Sequence, residues 1–307
     1  MAIYTKIKLL DLKKILAPYQ IEISNFTPIK AGNANSNYYI QSKRDEFILT
    51  IAEESSLQEI KNLTSLLSWL KIHHFTTSEV EISLNGQTVT EYKKKPVLIK
   101  RWIHGEVKET FNEIQLESIG YLTGRLHQIP APNYLPRQHF YGLQFFLTVV
   151  GKNIDIEYEN WLTEQVKFFE NNLPKNLPTG LIHGDIFFDN VLFENEVLKA
   201  MIDFQEACHY YLVFDLGMSI LGLCQNNEKI DLNKAKALIK GYEKIRSLVF
   251  LEKKSLPLFI RYAAVATSCW RFWKYNIYSS TPSLKYEYKK MVKIANNVSK
   301  IYLDYFI

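Results

Sequence analysis

Cysteine is scarce in this chain. Only Cys208, Cys224 and Cys269 occur among its 307 residues, widely spaced and odd in number. With no Cys-x-x-Cys pair there is no basis for a disulfide framework or a thiolate zinc site, and a reducing, cytoplasmic setting is expected. Long apolar runs are missing too: no window approaches the ~20 residues that span a bilayer. The opening MAIYTKIKLLDLKK carries Lys6, Lys8 and Asp11 and lacks an extended apolar core, so no signal peptide is expected. The net charge of +5 is scattered over isolated lysines without a dense basic block, which leaves nucleic acid unsupported as a partner. Internal repeats and low-complexity segments are absent. What remains is the composition of a globular protein, and 307 residues exceed one usual core, so one large or two fused domains are expected.

The most informative stretch runs from Leu181 to Asp215, LIHGDIFFDNVLFENEVLKAMIDFQEACHYYLVFD. Val191–Phe193 and Leu198–Ile202 are strand-like, and the polar Glu194, Asn195 and Glu196 between them read as a hairpin turn. A hairpin returns the chain to its start, so Asp203 is carried back toward Asn190. Asp185, Asn190 and Asp203 then converge at one end of a small sheet. Oxygen-bearing side chains of this kind suit Mg2+, which is held through one or two carboxylates plus substrate phosphates. The order Asp, Asn five residues later, then Asp beyond a hairpin is the order of kinase catalytic loops. There the first Asp takes the proton of the substrate hydroxyl and the other two residues hold metal.

His183-Gly184-Asp185 with Asn190, followed by Ile202-Asp203-Phe204, resembles the aminoglycoside phosphotransferase and choline kinase superfamily. Ala207 and Cys208 after the IDF triplet, and the step Phe214-Asp215-Leu216 into a helix, resemble its bacterial homoserine kinase branch. So do the opening Ala2 to Thr5 and the polar loop Gly32 to Asn37. The resemblance covers essentially the full chain. It implies an α+β, two-lobed protein-kinase-like fold, with an antiparallel-sheet nucleotide-binding lobe at 1–103 and a mainly helical lobe at 104–307. It implies ATP and Mg2+ as cofactors and a small-molecule hydroxyl as acceptor.

Along the chain, the spacing predicts a lead-in helix within 5–17, stopped by Pro18, and strands at 21–29, 38–40 and 47–51. The loop Ala31 to Asn37 holds one Gly and three Asn, residues that tolerate left-handed backbone, so it suits phosphate or an ordinary hairpin turn. Within it Gly32, Asn33, Asn35 and Ser36 are the nucleotide candidates. Thr50 stands where the superfamily usually keeps a phosphate-pairing lysine; the homoserine kinase branch is similar in lacking it. Glu59, on the next helix, is therefore expected to be a solvated helix residue. Asn85-Gly86 predicts a hairpin spanning 82–92, and Pro96–Ile99 a buried strand. The resemblance places the adenine-contacting hinge after that strand, near Arg101 and Ile103.

Helices are expected at 119–129, 161–173, 216–223, 232–251, 256–277 and 284–306, with Asp215 as an N-terminal cap. His127 reads as a satisfied core histidine and His183 as a brace of the loop. For an amino-acid acceptor, Glu206 is the candidate for the ammonium and Arg271 for the carboxylate. Glu206 near Tyr210, Tyr211 and Trp270 equally suits a purely cationic acceptor. Gln205, Glu206, His209 and Tyr210 depart from the homoserine kinase pattern. Three readings stand open here: a homoserine kinase, a choline, ethanolamine or aminoglycoside kinase, and a nucleotide-binding protein without transferase activity.

Overall fold

The computed structural model describes residues 5–29 and 35–298. The chain divides into two compact units, Met1–Glu106 with Lys199–Ile202, and Val107–Leu198 with Asp203–Ile307. The architecture is α+β, a sheet-rich N-terminal region followed by a mainly helical one.

In the first unit β1 (Ile23–Ile29), β2 (Asn35–Ser42), β3 (Glu46–Ala52), β4 (Thr90–Tyr92) and β5 (Lys95–Arg101) form an antiparallel sheet in the order β1-β2-β3-β5-β4. Side chains alternate between the two faces of a strand. Phe47, Leu49 and Ile51 therefore share a face with Val97 and Ile99, and this face is covered by Leu12, Ile15 and Leu16 of α1 (Leu9–Leu16). The opposite face packs Ala52 and Leu98 against Ile60 of α2 (Leu57–Ile72). Each such buried aliphatic side chain stabilises the unit by roughly 1.5–3 kcal/mol relative to exposure.

One expectation changes here. Asn85-Gly86 does turn, with Gly86 at φ +74° and Ser83 N–H donating to Gln87 O at 2.9 Å, yet no regular strands flank it. The hairpin lies one step later: β4 returns into β5 through Lys93 and Lys94, both left-handed at φ 51° and 65°. The residues before Asn85 instead lie along the remaining edge of β5, where Glu81 N–H meets Ile99 O and Arg101 N–H meets Glu79 O at 2.8 Å each. Glu59 is a solvated helix residue as expected, and it also closes a capping box: Ser56 N–H donates to its carboxylate at 2.6 Å and Glu59 N–H to Ser56 Oγ at 3.3 Å.

Short strands follow: β6 (Glu106–Val107), β7 (Thr179–Ile182), β8 (Val191–Glu194), β9 (Val197–Met201) and β10 (Cys208–Tyr211). The helices are α3 (Glu113–His127), α4 (Leu143–Val149), α5 (Ile156–Asn172), α6 (Leu212–Leu223), α7 (Leu232–Glu243), α8 (Phe250–Phe272) and α9 (Tyr288–Val298). The expected helix over 232–251 breaks after Glu243, because the Arg246 guanidinium turns back onto the Tyr242 hydroxyl and Glu252, each at 3.0 Å. The next helix then starts early enough to enclose Pro257. The last helix ends at Val298, and the remainder of its expected span lies outside the described residues.

Helices α3 and α7 approach at backbone contact. A Cβ at Gly120 would sit 1.9 Å from Leu238 O, and one at Gly241 would sit 2.0 Å from Glu117 O. That approach brings His127 to Tyr242. Among the described residues no helix is long and apolar enough to cross a membrane.

Candidate active site

Two closures assemble the site. β8 and β9 form the expected hairpin, turned by Asn195 and Glu196 at φ 48° and 68°. β10 pairs antiparallel with β7, Cys208 opposite Ile182, so the residues after β7 and those before β10 share one end of the ladder. Asp185 comes from the first group and Asp203 and Glu206 from the second. Asp203 itself is left-handed at φ 67°, a conformation that Asp tolerates better than most residues, and a short 3-10 turn, Phe204–Glu206, follows.

The backbone before Asp185 is held at several points. His183 N–H and Gly184 N–H both donate to the Asp215 carboxylate at 2.7 Å. Asp215 is not the N-terminal cap expected for α6. It lies inside that helix, fully buried, because its carboxylate serves the loop ahead of Asp185 instead of the helix end. The same carboxylate lies 3.2 Å from His127 Nε2, and His127 Nδ1 shares a hydrogen bond with the Tyr242 hydroxyl at 2.8 Å. Burial alone would raise the Asp215 carboxyl; the His127 hydrogen bond and charge, His183 and the amide donors outweigh it and hold it below the usual range. Gly184 sits at φ +85°, and a Cβ there would meet Glu206 O at 2.7 Å, so only glycine fits.

Asp185 is half-buried, and Asn190 donates its amide to the Asp185 carbonyl at 2.8 Å and carboxylate at 3.2 Å. Burial, then the Asp203 and Asp189 charges, push the Asp185 carboxyl up to about 7 against the Asn190 hydrogen bond. Glu206 is pushed up to about 8 by burial, then by Asp185 and Asp203. Asp189 is raised by burial and by Asp203. The carboxyl groups thus raise one another, which is the environment a divalent ion or an ammonium relieves. Among the described residues no set of three or more His, Cys, Asp or Glu is gathered to hold a metal alone. Asn190 and Asp203 are the residues whose oxygens would hold Mg2+, an ion usually completed by phosphate oxygens and water.

Other candidates are placed differently. Gly32 and Asn33 lie outside the described residues, as do Ala2 to Tyr4. Asn35 opens β2 opposite Ala52. The Ser36 side chain is fully buried, accepting Thr5 N–H at 3.0 Å and donating to Glu53 at 2.5 Å, so its hydroxyl is engaged away from any ligand. Thr50, also buried, donates to Asn37 Oδ1 at 2.8 Å. The Arg101 side chain is paired with Glu81 at 2.7 Å and Asp45 at 3.2 Å; Ile103 lies in irregular chain past β5. Arg271 bonds the Glu287 carbonyl at 3.3 Å, with the Glu287 carboxylate at 3.8 Å. Its partners are thus in the C-terminal segment. Tyr210 packs on Tyr211 and Phe214, and Trp270 on Tyr141 and Tyr275.

Sequence reasoning passed over His139. It is buried, with Nε2 3.2 Å from Gly184 O and its ring against Phe214 at 4.7 Å. Its signal was absent, since it sits in an irregular segment. For Asp215 a signal existed: an acid within the apolar run LVFDLGMSILGL has no solvent to face.

The phosphotransferase enzyme family model matches residues 25–248. The chain belongs to that family. A homoserine kinase of Bartonella henselae is 30% identical over 282 residues, covering 86% of each chain. Among solved structures, an amicoumacin kinase in complex with AMP-PNP and Ca2+ superposes with a TM-score of 0.79 at 15% identity, covering 97% of both chains. A microcompartment-associated aminopropanol kinase gives 0.74 at 15% identity, covering 95% of this chain and 97% of that one. The kinase-like fold is that of these neighbours, and this family member is a small-molecule kinase.

Proposed function

We propose that the protein transfers the γ-phosphoryl group of ATP to the hydroxyl of a small amino-bearing metabolite, L-homoserine in the first instance. The observation that carries the reading is the convergence of Asp185, Asp203 and Glu206 beside Asn190, carboxyl groups close enough to raise one another. Homoserine kinase relatives of matching length support the acceptor. In this reading Asn190 and Asp203 hold Mg2+, which when bound neutralises charge on the phosphates. Asp185 orients the acceptor hydroxyl and accepts its proton; Glu206 receives the acceptor ammonium. The nucleotide side falls to Gly32, Asn33 and Asn35 and to the backbone near Arg101 and Ile103. The Ser36 and Arg101 side chains are otherwise engaged.

A second acceptor class, amino alcohols without a carboxylate, is favoured by one observation: Arg271, the cation meant for the homoserine carboxylate, is committed to Glu287. ADP release measured with ATP and Mg2+ against L-homoserine, ethanolamine, choline and an aminoglycoside separates the two. Turnover with homoserine alone supports the first acceptor and turnover with ethanolamine or choline alone the second. Silence with all four would remove both.

A further inference from the structure

We propose that His139 is a positioning residue for phosphoryl transfer, the group that locks the Gly184–Asp185 peptide in its working orientation. The Gly184 carbonyl and the Asp185 N–H belong to one planar peptide unit, so fixing one end fixes the other and, with it, the backbone angle from which the Asp185 carboxylate projects. His183 Nδ1 takes the Asp185 N–H at 3.2 Å, and His139 Nε2 meets the Gly184 carbonyl at 3.2 Å. The unit is pinned at both ends by imidazoles. The two preceding N–H groups are pinned by Asp215.

The lock is needed because of Gly184. At φ +85° a glycine gives up little by rotating the peptide that follows it, since it has no Cβ to oppose the alternative. Only the hydrogen bonds select the observed orientation. His139 is also an expensive way to fill space: it is 6% exposed and lies against Phe214 and Tyr141. An apolar ring would avoid that desolvation. The bond to Gly184 O is what the imidazole adds.

The inference rests on Asp185 as the acceptor-facing carboxylate but not on which acceptor is used. It is tested with His139→Ala, His139→Phe, which keeps a ring but no donor, and His139→Gln, which restores an N–H. Steady-state turnover is measured with ATP, Mg2+ and L-homoserine, with ethanolamine in parallel. Hydrogen exchange of the Leu181–Asp189 segment supplies a readout that needs no acceptor. In the Ala and Phe variants kcat is expected to fall about 10- to 100-fold while KM for ATP stays within about 3-fold, and exchange accelerates about 10-fold. The Gln variant recovers most of both. A Phe variant with wild-type kcat and exchange, or a Gln variant no better than Ala, overturns the proposal. Asp185→Asn run alongside keeps the two ideas apart: its retained turnover would sink the role of Asp185, whereas the order among His139 variants judges the lock.

Discussion

His127 Nε2 lies 3.2 Å from the Asp215 carboxylate, and both side chains are fully removed from solvent. This pair joins α3 to α6 and supports the two N–H bonds that shape the loop ahead of Asp185. Removing one member leaves the other buried without its partner, which typically costs about 3–5 kcal/mol. His127→Leu is therefore expected to lower the urea midpoint sharply and reduce turnover together. A variant with wild-type stability and activity would show that the pair holds nothing in place.

Gly184→Ala separates the loop from the rest of the fold. The methyl group would meet Glu206 O at 2.7 Å in a backbone region that costs an L residue about 1–3 kcal/mol. Turnover is expected to collapse by more than about 100-fold, with a moderate loss of thermal stability. Turnover near wild type would mean that the loop can relax without consequence.

Acidification probes His139. Burial pushes its imidazole down to about 4. Between that value and the ordinary value of roughly 6.5 the unfolded chain binds a proton that the folded chain refuses, so stability rises with pH across this window and falls on acidification. The loss by pH 4 is on the order of 3 kcal/mol. Urea midpoints taken from pH 7 to pH 4.5 are expected to fall less steeply for His139→Phe than for wild type. Parallel slopes would contradict the burial argument.

Glu206→Gln tests acceptor recognition. Loss of the carboxylate is expected to raise the acceptor KM by about 10- to 100-fold, the worth of one buried charge-assisted contact, and to leave KM for ATP nearly unchanged. Equal effects on both substrates would move Glu206 out of the acceptor site.

The grouping of Asp185, Asn190 and Asp203 was legible in the sequence because its parts are local. Asp185 and Asn190 are five residues apart, and Asp203 follows a hairpin whose turn is polar and whose arms are apolar. The sheet was legible for the same reason, since the apolar, strand-like run Phe47–Ile51 needs no partner to be seen. Long-range pairing was not. Arg271 is bound to Glu287 through the fold of the chain beyond α8, and nothing in the residue types announces it. Ser36 looked like a loop residue but falls on the face of β2 that Thr5 covers, a register choice made by the sheet. The hairpin at Lys93 and Lys94 carries none of the usual turn residues. His139 lies in a segment with no periodicity, and only the folded chain brings it to Gly184.

In the proposed reaction Asp185 serves transfer of phosphate to an amino-bearing acceptor. The most direct measurement is 31P NMR of wild-type protein and Asp185→Asn incubated with ATP, Mg2+ and L-homoserine or ethanolamine. The expected result is a new phosphate monoester signal growing with ADP for the wild type, and a rate about 100-fold or more lower for Asp185→Asn with its fold intact. Ester formation at comparable rates in both proteins, or ADP formation with no ester from either acceptor, would contradict the account.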